Sequence, residues 1–189
     1  MLVQDTELPG VRLFTPRVFQ DVRGRFWETW RLDRYQEAGT GTFVQDNTSV
    51  SIRDTIRGLH FQHPRAQGKL IQVAQGTVFD VAVDIRRGSP HFGRWVGVEL
   101  SAENGNQLWI PPGFAHGFAV LSETAVLHYK CSEYYAPDCE HAIRWDDPSL
   151  GITWPVSSPH LSNKDAAAPL LVDIPLEHLP LHDASADRQ

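Results

Sequence analysis

The 189-residue sequence contains only two cysteines, Cys131 and Cys139, and a single methionine. The cysteines have neither the number nor the spacing of a disulfide framework or a zinc site, so we expect a reducing, cytoplasmic environment. No segment approaches the ~20 consecutive apolar residues of a membrane-spanning helix. Residues 1–10 lack the basic-then-apolar plan of a secretory signal. We therefore expect neither a disulfide-rich secreted protein nor a helical membrane protein.

Basic residues are in the minority, with 17 Lys and Arg against 23 Asp and Glu and a formal net charge of −6. An acidic balance disfavours a protein that coats nucleic acid or an anionic membrane, so we expect neither as a partner. At roughly 150 residues per domain, the length predicts one domain. The polar residues 184–189 are typical of a disordered chain end.

Short β-type runs separated by turn residues dominate the chain. The clearest is residues 77–85 (TVFDVAVDI), in which four apolar odd positions alternate with a face that carries Asp80 and Asp84. Nine further runs have the length and boundaries of strands: residues 11–19, 24–30, 43–51, 55–62, 69–75, 95–101, 107–110, 117–121 and 125–135. Helical features occur only at residues 32–38 and 164–171, and Pro169 interrupts the second. The pattern predicts an all-β, cupin-like jelly-roll barrel with short peripheral helices.

Histidines in a jelly roll first suggest a metal site. His60 and His63 form a His-x-x-His sequence, and His116 ends a PPGFAH sequence similar to the second half of a metal-binding cupin motif. Side chains alternate faces along a strand, however, so residues three apart should diverge. No glutamate follows at short spacing to complete a ligand set. The sequence thus offers too few convergent ligands for a metal ion, and we predict no metal site.

The same region offers acid–base chemistry without a metal. His60 lies between Arg57 and Lys69, and Lys69 shares an apolar strand face, where a cation needs an anion or access to water. Tyr129 lies on the apolar face of residues 125–131. Structural roles would explain these two positions equally well. The ammonium group of Lys69 could reach solvent, and Tyr129 could be an ordinary core residue. The residues by themselves predict only a small-molecule barrel with an acid–base pocket.

A nucleotide ligand is weakly indicated by arginines and aromatic residues. Arg23, Arg25 and Arg57 suit a diphosphate. Tyr134, Tyr135 and Trp109 could stack on a base. No glycine-rich phosphate loop supports this interpretation.

Seven phrases, in order along the chain, resemble one known family. They are FQDVRGRFWE (19–28), FVQDNTS (43–49), RGLHFQ (57–62), AQGKL (66–70), VFDVAVDI (78–85), QLWIPPGFAHGF (107–118) and LSNKDAAAPLL (161–171). Together they resemble the dTDP-4-dehydrorhamnose 3,5-epimerase family. The resemblance covers residues 1–172, which we take as the domain. Residues 173–189 lie outside it as a tail that we predict to be partly disordered.

The resemblance implies a cupin-type jelly roll that works as a homodimer, without metal or cofactor. Its substrate would be dTDP-4-dehydro-6-deoxy-D-glucose, whose carbons 3 and 5 are inverted through enolates on the route to dTDP-L-rhamnose. His60 would be the general base, and Asp165 the carboxylate that pairs with it. Tyr129 would be the general acid on the opposite sugar face, and Lys69 would lie beside the ketone oxygen.

The residues that would bind the nucleotide sugar are Arg23, Glu28, Gln45, Asp46, Asn47, Arg57, His116, Tyr135, Glu140 and Lys164. Tyr135 resembles the family's thymine-stacking aromatic residue, and some of the set would come from the partner subunit. The N-terminal strand predicted at residues 11–19 should pair with that subunit, because a long exposed edge invites aggregation.

Three alternatives stay open. The nearest is an epimerase of a related dTDP-4-keto-6-deoxysugar that inverts carbon 3 or carbon 5 alone. A catalytically silent nucleotide-sugar binding module is disfavoured by the intact His60, Lys69, Tyr129 and Asp165. A metal-dependent cupin oxygenase is the least favoured.

Overall fold

The structure, a computed structural model, describes residues 1–183, so the disorder predicted for residues 184–189 concerns residues outside the described part. The strands are β1 Leu2–Asp5, β2 Arg12–Thr15, β3 Phe19–Asp21, β4 Gly24–Phe26, β5 Gln45–Ile52, β6 Ile56–Gln62, β7 Lys69–Gln75, β8 Thr77–Asp84, β9 Trp95–Ser101, β10 Gln107–Ile110, β11 Phe114–Val120, β12 Thr124–Cys131 and β13 Glu140–Ala142. The helices are α1 Leu32–Glu37 and α2 Asn163–Ala166, with single 3-10 turns at Pro137–Cys139, Leu171–Asp173 and Leu176–His178. None of the helices within residues 1–183 is long and apolar enough to cross a membrane.

Two antiparallel sheets form the barrel. A six-stranded sheet has the order β1-β2-β10-β7-β12-β5, and a five-stranded sheet has the order β13-β6-β11-β8-β9. The hairpin of β3 and β4 forms a separate two-stranded ribbon. This architecture confirms the predicted all-β, cupin-like jelly roll with short helices at its periphery.

Apolar residues form two core layers, one on each face of the five-stranded sheet, so β8 is buried on both of its faces. Val78 and Ala82 belong to the core between the two sheets, together with residues of β7, β10, β11 and β12. Val81 and Val83 point to the outer face of the five-stranded sheet, where Ile143 and the C-terminal segment cover them. The alternation predicted for residues 77–85 is therefore real, and Asp80 and Asp84 lie on the face that points into the barrel.

The predicted helices are shorter than the sequence suggested. Residues 32–38 contain α1, as predicted. In the second segment only Asn163–Ala166 is α-helical, and the Ser162 hydroxyl caps it by accepting a hydrogen bond from the Asp165 backbone N–H at 3.0 Å. Pro169 prevents continuation of the helix, since proline has no backbone N–H to donate.

The N-terminal edge differs from the prediction. Residues 12–15 form an internal strand, because β2 pairs with both β1 and β10. The exposed edge is β1, whose four residues are all exposed. This strand was not predicted from the sequence. The expectation that residues 11–19 form a free edge is therefore wrong for β2, and β1 takes that place.

The first part of the predicted tail packs on the barrel. Ile174 and Leu179 are buried in the outer core layer, and Leu181 forms a parallel bridge with Arg87. The division of the chain at residue 172 and the partial disorder beyond it stay predictions, although residues 173–183 contact the sheet.

Candidate active site

A cavity of about 180 Å³ opens between strands β5, β6, β7 and β12. The lining residues are Gln45, Asn47, His60, Phe61, Gln62, Gln67, Lys69, Tyr129, Tyr135 and Glu140. Seven of these were predicted as site residues from the sequence. An eighth predicted residue, Asp165, does not line the cavity but contacts His60. One pocket therefore collects residues from segments far apart in the chain.

The central pair of this cavity is His60 and Asp165. His60 extends from β6, and its Nε2 lies 2.6 Å from Oδ1 of Asp165 on α2. Burial of Asp165, which is only 3% exposed, raises the pKa of its carboxyl. Hydrogen bonds from His60, Ser162 and the Gly58 backbone outweigh this effect, so the pKa of Asp165 is lowered below its ordinary value of 3.8. The imidazole is thus paired with a carboxylate, which fixes the orientation of the ring.

Strand β6, which carries His60, passes unusually close to β11. A Cβ on Gly58 would lie 2.5 Å from Cα of Gly117, so only glycine permits this approach. The ladder shifts register between His116 and Phe118 next to this point. His60 itself is paired in register with His116.

Lys69 and Tyr129 project into the cavity from β7 and β12. Lys69 is 9% exposed, and burial lowers the pKa of its ammonium group, while Cys131, Asp80 and Glu140 act in the opposite direction. Burial and, to a lesser degree, Cys131 raise the pKa of Tyr129. Tyr129 also packs against the inner core, as its position on the apolar face predicted. A buried lysine and a protonated phenol therefore share the pocket with the imidazole.

One end of the cavity is a hydrogen-bonded wall built around Glu140. Tyr135 Oη donates to Glu140 Oε2 at 2.8 Å, and Lys164 Nζ donates to the same oxygen. Burial raises the pKa of Glu140, but the bonds from Lys164 and Tyr135 outweigh it and lower the pKa below 4.5. The Tyr135 backbone N–H donates to Gln45 Oε1 at 2.8 Å, and Gln45 Nε2 donates to Asn47 Oδ1 at 3.1 Å.

Two further predicted residues lie close to His60 on the same sheet: Arg57 on β6 and His116 on the adjacent β11. His116 is buried, and its Nε2 lies 3.0 and 3.1 Å from the two carboxylate oxygens of Asp80. Arg57 is exposed, and its Nε donates to Ser51 Oγ at 3.0 Å. Asp80 was not among the site residues predicted from the sequence. Its position on the inward face of β8 was the available signal.

Three other predicted binding residues, Asp46, Arg23 and Glu28, neither line this cavity nor contact its wall. Asp46 follows Gln45 on β5, so its side chain points to the opposite face and pairs with Lys130 at 2.9 Å. Arg23 lies in the turn between β3 and β4 and pairs with Asp21 at 2.6 Å. Glu28 pairs with Arg34 at 3.0 Å and lines a separate groove of about 1010 Å³ beside the N-terminal segment.

The histidines of the suspected metal motif do not converge. His63 lies beyond the end of β6, where burial and the nearby His141 lower its pKa. Among residues 1–183, no three His, Cys, Asp or Glu side chains form a group that could hold a metal ion. Metal independence stays a prediction.

Known proteins resemble this chain in both sequence and fold. The sequence model of the dTDP-4-dehydrorhamnose 3,5-epimerase family matches residues 5–173. The chain belongs to this family. The dTDP-4-dehydrorhamnose 3,5-epimerase of Salmonella typhimurium is 55% identical over 175 residues, which cover 90% of this chain and 96% of that protein.

Two solved structures of related epimerases have the same fold. The dTDP-6-deoxy-D-glucose-3,5-epimerase of Legionella pneumophila, in complex with dTDP-4-keto-L-rhamnose, is 50% identical with a TM-score of 0.94, covering 97% of this chain and 99% of that one. ChmJ of Streptomyces bikiniensis, a 3'-monoepimerase in complex with dTDP-quinovose, is 36% identical with a TM-score of 0.89, covering 97% and 94%. The family thus includes enzymes named for two epimerisations and for one.

Proposed function

We propose that the protein is a dTDP-4-dehydrorhamnose 3,5-epimerase. It inverts carbons 3 and 5 of dTDP-4-dehydro-6-deoxy-D-glucose to give dTDP-4-dehydro-L-rhamnose, a step of dTDP-L-rhamnose biosynthesis. The observation that carries this function is the cavity in which His60, held by Asp165, meets Lys69 and Tyr129.

His60 is the general base of this proposal. The protons on carbons 3 and 5 flank the ketone at carbon 4, so they become acidic when the enolate is stabilised. A histidine suits their removal because its ordinary pKa lies near neutrality. The Asp165 carboxylate at 2.6 Å supports the imidazolium that forms when His60 takes a proton.

Lys69 stabilises the enolate oxygen. Its ammonium group is buried, so its charge is poorly screened by water and acts strongly on an oxyanion in the same cavity. Removal of one oxyanion donor from an enzyme costs about 2.7–4 kcal/mol, which is the scale of the contribution we assign to Lys69.

Tyr129 returns a proton to the opposite face of the sugar ring. Inversion requires this second group, because a proton returned by His60 would restore the original configuration. Burial raises the pKa of Tyr129, which keeps the phenol protonated and able to donate at neutral pH. The reaction consumes no cofactor and, in this proposal, uses no metal.

The wall of Tyr135, Glu140 and Lys164 receives the nucleotide. Tyr135 is half exposed, so its ring can stack on thymine. Gln45 and Asn47 continue the wall along β5, and Arg57 and His116 supply further donors for the diphosphate and sugar. Asp46 does not contact the nucleotide sugar in this proposal, because its carboxylate pairs with Lys130.

A homodimer completes this site in our proposal. The ribbon of β3 and β4 is exposed along its whole length and carries the apolar side chains of Val22 and Phe26 to the surface. Exposed apolar surface of this kind is typical of an interface. We infer that the ribbon contacts a second copy of the chain and delivers Arg23 and Glu28 to the partner's cavity.

Product analysis tests the function. The protein is incubated with dTDP-4-dehydro-6-deoxy-D-glucose and a reductase that acts on the 4-keto product, and the sugar is identified by NMR. We expect a rhamnose configuration, with both carbons inverted. A product inverted at carbon 3 alone would favour the single-position alternative, which the similarity to ChmJ keeps open. No inversion at either carbon would contradict the proposal.

A further inference from the structure

The C-terminal segment of residues 174–183, here called the strap, crosses the outer face of the five-stranded sheet. Ile174 and Leu179 anchor it in the outer core layer. Backbone hydrogen bonds add to this attachment: Arg87 N–H donates to the Pro180 carbonyl at 2.8 Å, and His182 N–H donates to the Arg87 carbonyl at 2.9 Å. The strap begins just after the last residue matched by the family model, residue 173.

His178 of the strap is the outer ring of a column of three stacked rings, followed by His141 and Phe61. The His178 and His141 rings stack with centroids 4.5 Å apart and planes inclined by 27°. His141 also stacks on Phe61 of β6, with centroids 5.2 Å apart and planes inclined by 29°. His141 Nε2 also donates to the His63 carbonyl at 3.2 Å. His141 is thus held between β6 and the strap.

His141 is the central residue of β13, which forms one edge of the five-stranded sheet. This strand has three residues, and within residues 1–183 it pairs only with β6, in the register Glu140 with Gln62 and Ala142 with His60. So short an edge strand is weakly held by its ladder, and local opening of such elements costs little free energy. Because side chains alternate along a strand, β13 directs Glu140 to the cavity and His141 to the opposite side.

We propose that His178 is a positioning residue, through which the strap clamps β13 on β6 and so holds the nucleotide wall of Glu140, Tyr135 and Lys164 in place. The inference rests on the proposed function, because that function makes this wall the nucleotide-binding end. The stack lies on the far side of β13 from the cavity, so His178 acts on the wall only through His141.

The consequence is an effect on binding rather than on chemistry. His60 is also held by β11 on the other side of β6, and Lys69 and Tyr129 belong to the other sheet. These three residues keep their positions when β13 loosens. The wall alone loses its order, and the affinity for dTDP falls.

The test compares three full-length variants. His178→Ala removes the ring, His178→Phe keeps a ring that can stack, and Leu176→Ala alters a residue of the same turn whose side chain is 64% exposed. For each, the dissociation constant of dTDP is measured by calorimetry, and KM and kcat by turnover. Hydrogen exchange is followed by mass spectrometry in peptides covering residues 139–143.

We expect His178→Ala to weaken dTDP binding and raise KM by about 2- to 10-fold, the factor that corresponds to an aromatic pair worth 0.5–1.5 kcal/mol. Its kcat should stay within twofold, and exchange in residues 139–143 should accelerate. His178→Phe should restore the affinity and the protection, and Leu176→Ala should match the parent protein. If His178→Ala does not fold, His178→Leu, which keeps packing area without the stack, replaces it.

Parent-like dTDP affinity in the folded variant without the stack would overturn the inference, and so would a fall in kcat with KM unchanged. Faster exchange in residues 139–143 without loss of affinity would also overturn it, because the clamp would then have no role in binding. Failure of the proposed function has a different signature. The parent protein itself would then neither bind dTDP nor turn over the sugar, whereas the exchange comparison would still report on the clamp.

Discussion

Replacement of Asp165 by asparagine isolates the part that the carboxylate plays in base catalysis. The substitution keeps the size of the side chain, and its backbone N–H can still donate to Ser162 as in the parent helix cap. It removes the negative charge 2.6 Å from His60 Nε2. The new amide can also turn its NH₂ group towards this nitrogen and hold the wrong imidazole tautomer.

The size of the effect follows from the burial of the pair. A hydrogen bond to a charged group contributes about 1.5–3 kcal/mol, which corresponds to roughly 10- to 150-fold in rate at 1.36 kcal/mol per tenfold. In the Ser-His-Asp triad, the same substitution lowers kcat by about 10⁴ because the tautomer is wrong. We therefore expect kcat of Asp165→Asn to fall by about 10²–10⁴, with little change in dTDP affinity because Asp165 does not line the cavity.

The assay follows deuterium uptake at carbons 3 and 5 in heavy water, together with kcat. Asp146→Asn is the matched control, since Asp146 is an exposed carboxylate in an ion pair with Arg144 at 2.7 Å. It should behave as the parent protein. Activity of Asp165→Asn within threefold of the parent would refute the assigned role of the pair.

The same carboxylate links stability to pH. Because the pKa of Asp165 is lowered in the folded protein, its contribution to stability is present above the ordinary value of 3.8 and is lost as the pH falls through the lower folded value. Thermal unfolding of Asp165→Asn should therefore differ most from the parent at neutral pH, and the difference should shrink below about pH 4.

Three further predictions concern the cation, the metal and the assembly. Lys69→Met should lower kcat by about 10²–10³, the effect of losing an oxyanion donor. Because burial lowers the pKa of Lys69, the activity of the parent protein should decline as the pH rises through a value below 10.5. A pH profile without that decline would contradict the role of Lys69. Exhaustive chelation should leave the activity intact, whereas loss that a divalent metal restores would contradict metal independence. Light scattering at micromolar concentration should give twice the monomer mass, and a monomer mass would count against the dimer.

Local patterns predicted the longer strands. They missed the shortest and the fully exposed strands, and also the features that depend on distant segments. The alternation of residues 77–85 predicted β8, but the burial of its outer face depends on Leu179 and Ile174 of the strap, which no local pattern reveals. Strand β13 escaped prediction because three residues carry no measurable period. Strand β1 escaped because all four of its residues are exposed.

The site was predicted to a large extent through family resemblance rather than through residue chemistry. His60 and Asp165 are 105 residues apart, and nothing in the spacing of the sequence indicates that α2 reaches β6. The orientation of Tyr129 into the barrel, by contrast, followed from period-two alternation alone and is confirmed. Asp80 was missed because an inward carboxylate needs a partner, His116, whose proximity depends on the pairing of β8 with β11. The catalytic roles themselves stay predictions.

The most direct test of the central claim, that His60 and Tyr129 act on opposite faces of the sugar, is deuterium uptake with product configuration in heavy water. His60→Asn should abolish both exchange and inversion at carbons 3 and 5, because no base removes the protons. Tyr129→Phe should continue to exchange deuterium while inversion falls by about 10²–10⁴, because the enolate is reprotonated from the side it left. Inversion by Tyr129→Phe at the parent rate, or exchange by His60→Asn, would contradict the account.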